Sequence, residues 1–440
     1  MTLTKKRRAI PLTLAAVSAL VLTACGSSGP GSAGGGGGGG GSDTASAWAL
    51  TGGVHEVMWD ESFKTWNEEN ADAKVDVQWF ANDAYKEKIR TSMGAGTGPS
   101  LVFSWGGGPL RDYVDSDKVV DLTEGAADLV DRVFPSVAEG GMVDGKVYAV
   151  PNSQTQPELV YYNKDLFDQV GAEVPTTWSE VMDLIPKFKE AGVAPFAVAG
   201  ASKWPELIWL QYMTDRVGGP EAFGKVMAQE PDSWSDPAFV EALTKIQDLV
   251  KAGGFQEGFG STVADTRADA ALVHTGKAAM LLQGSWVFSS FAQDAPEMVE
   301  NDRIGFFPFP AVEGGKGDPA NVVGNPSNYW SLNSNASEEV QEQMTTYLNE
   351  YVFNEQYTTT LLDGGGVPPV VGIEERLADT EHGDFLTFAY SLVEDAPSFT
   401  LSWDQALPAA QAQELLTNID RIFLLEITPE EFVANMNATL

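Results

Sequence analysis

Cysteine occurs once in 440 residues, at Cys25, and histidine three times, at His55, His274 and His382. A single thiol makes no intrachain disulfide. The three histidines lie too far apart in sequence for the short spacings of a zinc site. Basic residues are scarce as well: 27 Lys and Arg stand against 62 Asp and Glu, a formal net charge of −35. Such a surface repels nucleic acid and anionic lipid headgroups, so neither is expected as a partner. No G-x-x-x-x-G-K-[ST] phosphate loop occurs, and GAGTGP at 94–99 precedes a strand instead of following one. No G-x-S-x-G nucleophile elbow occurs either; Gly284-Ser285-Trp286 is not one. No cofactor or metal is implied, and no repeat of fixed period is visible.

What the chain does have begins with a basic start, Lys5-Lys6-Arg7-Arg8, followed by a mostly apolar run that ends in small residues. This is the layout of a secretory signal, and the run is shorter than the ~20 apolar residues of a membrane-spanning helix. Leu22-Thr23-Ala24-Cys25 resembles the bacterial lipobox. That resemblance implies that residues 1–24 are removed and that Cys25 is acylated, a palmitate-type anchor on the extracytoplasmic face of the cell membrane. Residues 25–47 then read as the lipidated cysteine and a tether, because eight successive glycines, Gly34 to Gly41, hold no packed structure.

The body, from Trp48 onward, is long enough for two domains. Its first part alternates strand and helix. HEVMW at 55–59 is expected as a strand, with a helix from Asp60 carrying Phe63 and Trp66 on one face. KVDVQWF at 74–80 alternates as a strand should. A helix follows with Tyr85 and Ile89 on one face, then a strand at 101–103, then Leu110, Tyr113 and Val114 at helical spacing. The β-α-β-α-β order predicts a doubly wound parallel sheet, which binds ligands beyond the carboxyl ends of its strands. Those ends carry Trp59-Asp60, Asn82, and Trp105 with Gly106 to Gly108. Capping boxes at Thr177/Glu180 and Thr428/Glu431 mark later helices, and Pro186 is expected to kink the first of them.

Aromatic residues are plentiful: 12 Trp, 22 Phe and 11 Tyr. Several tryptophans stand in loop-like stretches beside Gly, Pro, Asn or Asp. A sugar ring has an apolar C–H face and polar hydroxyls, so a sugar site joins a flat aromatic platform to amide or carboxylate side chains. These residues alone leave three readings open: a sugar receptor, a secreted glycoside hydrolase needing only two placed carboxylates, and a receptor for a non-sugar solute such as a peptide. Each tryptophan is also open to a place in the core.

Three stretches decide the direction. FSWGGGPLRDYVDSDKVVDLT at 103–123, DGKVYAVPNSQTQPELVYYNKDLFDQVGAEVPTTWSEV at 144–181 and GKAAMLLQGSWVFSSF at 276–291 resemble the solute-binding proteins of bacterial ABC sugar importers, the group that includes maltose-binding protein. The resemblance implies two doubly wound α/β lobes joined by a multi-crossing hinge, without catalysis. It implies a monomer that delivers an oligosaccharide, of xylo-oligosaccharide type, to the importer's permease subunits. The crossings are expected near 155–160, 306–310 and 364–372, giving an N-terminal lobe of 48–156 with 309–366 and a C-terminal lobe of 157–308 with 367–440. By position in the pattern, the ligand contacts implied are Trp59, Asp60, Asn82, Trp105, Gly106, Gln154, Lys203, Trp204, Trp286, Asn325, Asn328, Trp403 and Asp404.

Overall fold

The computed structural model describes residues 44–440. In chain order the strands are β1 (Ala45–Leu50), β2 (Val75–Phe80), β3 (Leu101–Ser104), β4 (Met142–Val143), β5 (Lys146–Val147), β6 (Val150–Pro151), β7 (Gln156–Asn163), β8 (Ala194–Ala197), β9 (Ala278–Gly284), β10 (Ile304–Phe307), β11 (Val322–Asn325), β12 (Tyr329–Leu332) and β13 (Phe399–Leu401). They form two main sheets. The first runs β2-β1-β3-β12-β6, with β1 parallel to both β2 and β3 and with β12 antiparallel. The second runs β13-β11-β7-β9-β8, and β10 also pairs with β7. Each sheet with its helices is one α/β lobe.

The first lobe opens differently from its expected pattern. HEVMW lies inside helix α1 (Gly53–Glu69), and the leading strand is ASAWAL, whose first three residues lie in the stretch read as tether. Burial explains both. Val54, Met58, Ser62, Phe63 and Trp66 recur at helical spacing and are buried. In β1 the small side chains Ala45, Ala47 and Ala49 are wholly buried, which lets the strand sit in the sheet centre between β2 and β3. Helix α2 (Asn82–Ala95) and helix α3 (Gly107–Asp115) follow β2 and β3 as the pattern predicts. The helix Trp178–Glu190 runs through Pro186 and carries the expected capping box.

The chain passes between the sheets at short segments. Residues 152–155 join β6 of the first sheet to β7 of the second, slightly earlier than expected. The carbonyl of Asn152 there accepts from Trp59 Nε1 (2.9 Å) and Tyr357 Oη (2.6 Å), which fixes the crossing to the first lobe. Residues 326–328 join β11 to β12. The second crossing is therefore not at 306–310: both β10 and β11 hydrogen-bond to β7, so residues 309–325 do not belong with the first sheet. Segment 364–372 runs from the helix Glu355–Asp363, packed on α1, towards the helix Gly383–Glu394, which packs on β7.

Candidate functional site

A cleft opens where the two lobes meet. It encloses ≈ 1090 Å³ of non-atom space, part of it open to solvent. The carboxyl ends of the first-sheet strands line one side, as the fold requires. Thr51, Gly52, Gly53 and His55 follow β1; Asn82 and Lys86 stand at the start of α2; Trp105 follows β3; Asn328 precedes β12. The second lobe contributes Gln156 and Glu158 of β7, Gln211 and Trp204 of the helix Trp204–Gly218, Asp269, Gln283, Trp286 and Asn325. The segment after β13 adds Ser402, Asp404 and Gln405.

Two indoles dominate the second-lobe wall. Trp204 and Trp286 have ring centroids 6.0 Å apart and planes at 50°. Trp204 opens its helix, with Pro205 in the first turn, where a missing N–H is harmless. Trp286 folds back over the end of β9: a Cβ on Gly284 would lie 1.8 Å from its ring, so that glycine is what lets the indole lie flat there. Opposite them, Trp105 is held edge-on to Phe103 (5.1 Å) and Tyr85 (5.9 Å), with the Lys86 ammonium 5.1 Å from its ring centre.

Burial or pairing moderates several ionisable groups in the cleft. Burial pushes the Glu158 carboxyl up to about 8, helped by the negative charge of Asp404. Burial raises Asp269 to about 6, although Gln283 donates to it at 3.2 Å. His55 is lowered to about 4 by burial and by the charge of Arg267. Lys86 pairs with Asp404 at 3.1 Å, and Arg267 with Asp294 at 3.0 Å. Carboxamides supply much of the remaining polarity: Asn82, Gln156, Gln211, Gln283, Asn325, Asn328 and Gln405 all line the space. The side-chain oxygens of Asn325 and Asn328 are buried without a hydrogen-bond partner. These carboxamides offer uncharged donors and acceptors beside flat apolar faces. Among the described residues no three His, Cys, Asp or Glu side chains come together as a metal site.

Of the residues expected from sequence, the cleft brings together Asn82, Trp105, Trp204, Trp286, Asn325, Asn328 and Asp404. It does not include the other six. Trp59 is fully buried, edge-on to Phe103 and Trp330. Asp60, one step round α1, is exposed. Gly106 packs on Gly140, whose carbonyl oxygen would lie 2.5 Å from a Cβ. Gln154 is buried in the first crossing against Gly366. Lys203 pairs with Asp420 at 3.5 Å, away from the cleft. Trp403 is a core residue stacked on Phe223 at 4.2 Å. The remaining glycines of the WGGG stretch do not lower the cleft wall either. A Cβ on Gly107 or Gly108 would lie 2.2 Å from Gln405 O or 2.3 Å from Leu407 O, so they let α3 abut the second lobe. Cys25, the signal segment and most of the tether lie outside the described residues.

Sequence reasoning missed the turn after β1, Lys86, and the polar residues of β7 and β9. The turn followed from misplacing the strand. Glu158 and Gln283 carried a signal, a polar residue inside an otherwise apolar strand.

The profile of the family described as "Bacterial extracellular solute-binding protein" matches residues 53–355. An ABC transporter extracellular-binding protein of Pyrococcus horikoshii is 26% identical over 272 residues, 60% of this chain and 59% of that one. A multiple sugar-binding protein of Streptococcus mutans is 31% identical over 180 residues, 40% and 41% of the two chains. The chain thus spans less than two thirds of the length of either relative. A solved structure from work on xylan utilization by the thermophilic bacterium Caldanaerobius polysaccharolyticus superposes with TM-score 0.80 and 28% identity. It covers 90% of this chain and all of its own.

Proposed function

Because the chain belongs to the bacterial extracellular solute-binding protein family, we propose that it captures a neutral oligosaccharide between its two lobes and hands it to an ABC transporter permease without chemical change. The observation that carries this reading is the Trp204–Trp286 pair facing a cleft rich in carboxamides. Indole faces stack on the C–H faces of sugar rings, and buried amides discriminate strongly against ligands that leave them unpaired. The sugar-binding relative and the xylan-related structure support the same class, and a xylo-oligosaccharide is the ligand to test first.

The lobes in this reading are residues 45–151 with 329–363, and 156–325 with 373–440, which moves the second expected boundary to follow the strand pairing. Removal of residues 1–24 and acylation of Cys25 anchor the body on the outer face of the cell membrane by lipid alone. The receptor works there as a monomer.

Calorimetric titration with xylotriose, maltotriose and a tripeptide tests the ligand class. Saturable binding of a sugar, with chromatography showing it unchanged, is the expected result. Tight binding of the tripeptide alone, or cleavage of the sugar, overturns the proposal. Cys25→Ser tests the anchor: the protein leaves the membrane fraction, and failure to do so sinks the lipid assignment.

A further inference from the structure

Several contacts join the lobes across the cleft mouth, and they converge on the first two turns of α2. The Asp83 backbone N–H donates to Asp265 Oδ2 at 3.0 Å, and Ser202 Oγ donates to Asp83 Oδ2 at 2.9 Å. One turn on, Lys86 Nζ meets Asp404 Oδ2 at 3.1 Å; the side chains are 27% and 7% exposed, so the pair is well shielded from solvent. Beside it, Gly107 and Gly108 let α3 rest directly on the carbonyls of Gln405 and Leu407, in the short helix (Trp403–Ala406) and turn that present Asp404. Asp265, Ser202 and Asp404 belong to the second lobe, and α2 and α3 to the first.

Asp265 also reaches the ligand space, but among these contacts Lys86–Asp404 is the one in which both side chains line it and carry opposite charge. It lines the cleft, and its ammonium lies over the ring of Trp105. Asp404 lines the cleft from the other side and additionally accepts from Gln405 Nε2 at 2.8 Å. Opening the lobes separates Lys86 from Asp404 and leaves a carboxylate on one wall and an ammonium on the other.

We propose that Lys86 is a positioning residue that couples ligand capture to lobe closure: in the closed state it pairs with Asp404 across the cleft mouth and holds Trp105 in place, with the α3 glycines as the seat that allows the approach. This rests on the solute-capture reading of the cleft. A latch made only when closed slows ligand release more than it changes ligand entry.

A double-mutant cycle with Lys86→Met and Asp404→Asn, read by xylotriose binding kinetics, tests the coupling. Each single change is expected to weaken binding about tenfold, mainly through faster dissociation, and the double variant to bind no worse than the weaker single one. Lys86→Arg retains most of the affinity. Additive losses, or a loss confined to association, overturn the proposal.

A second arm needs no sugar. In a full chain carrying Cys25→Ser, the pair Asp83→Cys and Ser202→Cys reports lobe contact by disulfide trapping under mild oxidation. Trapping is expected in that background and severalfold slower when Lys86→Met is added. Absence of trapping, or an unchanged rate with Lys86→Met, overturns the latch. If no sugar binds the parent protein, the capture reading fails while the trapping arm still decides whether Lys86 holds the lobes together.

Discussion

Replacing Trp286 and Trp403 by alanine, one at a time, separates ligand contact from core packing at two residues of the same type. Trp403 is 2% exposed, stacked on Phe223 at 4.2 Å and edge-on to Phe239 and Trp234 at 5.8 and 6.0 Å. Truncating such a residue leaves a cavity and costs about 3–5 kcal/mol. In a body of roughly 400 residues that unfolds together, with an unfolding entropy of about 2 cal/mol/K per residue, this lowers Tm by about 4–6 °C. The affinity of the folded protein barely changes. Trp286 is half-buried, and its ring lies over the strand end and faces the cleft. Its loss takes from the ligand about 1–3 kcal/mol of apolar burial, a Kd about five- to 150-fold weaker. Tm of the ligand-free protein moves by no more than about 2 °C. Scanning calorimetry without ligand and titration with xylotriose read the two quantities. The reasoning is refuted if Trp403→Ala weakens binding at constant Tm, or if Trp286→Ala lowers Tm as far as Trp403→Ala and leaves Kd alone.

Gly284→Ala drives a methyl into the Trp286 ring; titration should show binding weakened severalfold, and a parent-like Kd would mean that the indole's pose is not needed. Glu158 has a folded-state pKa of about 8 against an ordinary 4.5, so the folded protein keeps a proton that the unfolded chain releases. Its contribution to stability is complete below about pH 4.5 and is lost as pH rises towards 8, at up to about 1.4 kcal/mol per pH unit. Glu158→Gln should flatten the fall of Tm between pH 5 and 8; an identical fall in parent and variant contradicts the assignment. Arg216 is 1% exposed, paired with Asp215 at 2.7 Å, and donates to the carbonyls of Phe309, Asp318, Pro319 and Asn321. Arg216→Met strands all of them and should cost about 3–5 kcal/mol, seen as a lower urea midpoint with Kd unchanged; a midpoint within error of the parent would show the pair to be dispensable.

The alternation of β2 and the stripe of α2 were legible because each element is half-buried, which writes its period into the sequence. β1 was not legible, because an alanine-rich central strand carries little hydrophobic contrast. Three apolar residues in a row at 57–59 then imitated a strand where α1 runs. The general position of the site, at the carboxyl edge of the parallel strands, survived that error, but its first-strand contribution moved from Trp59 and Asp60 to the turn at 51–55. Trp204 and Trp403 precede similar helical stretches, and only the neighbours supplied by distant segments separate a cleft platform from a core ring. Lys86 gave no local sign of its role, since Asp404 lies 318 residues further on.

The placement of β12 between β3 and β6 has a consequence for the order in which the protein can be made. A ribosome releases β1, β2 and β3 early, but the strand that covers the open edge of β3 pairs Tyr329 with Ser104 and arrives only after the other lobe's β7 to β11 have been synthesised. Until then the nascent first sheet presents an unpaired edge, the kind of edge that recruits other chains. Pairing across so long an interval is also slow. The amino-terminal lobe is therefore begun first and finished late. A chain broken off anywhere before Tyr329 carries an unfinished sheet in place of a smaller folded receptor.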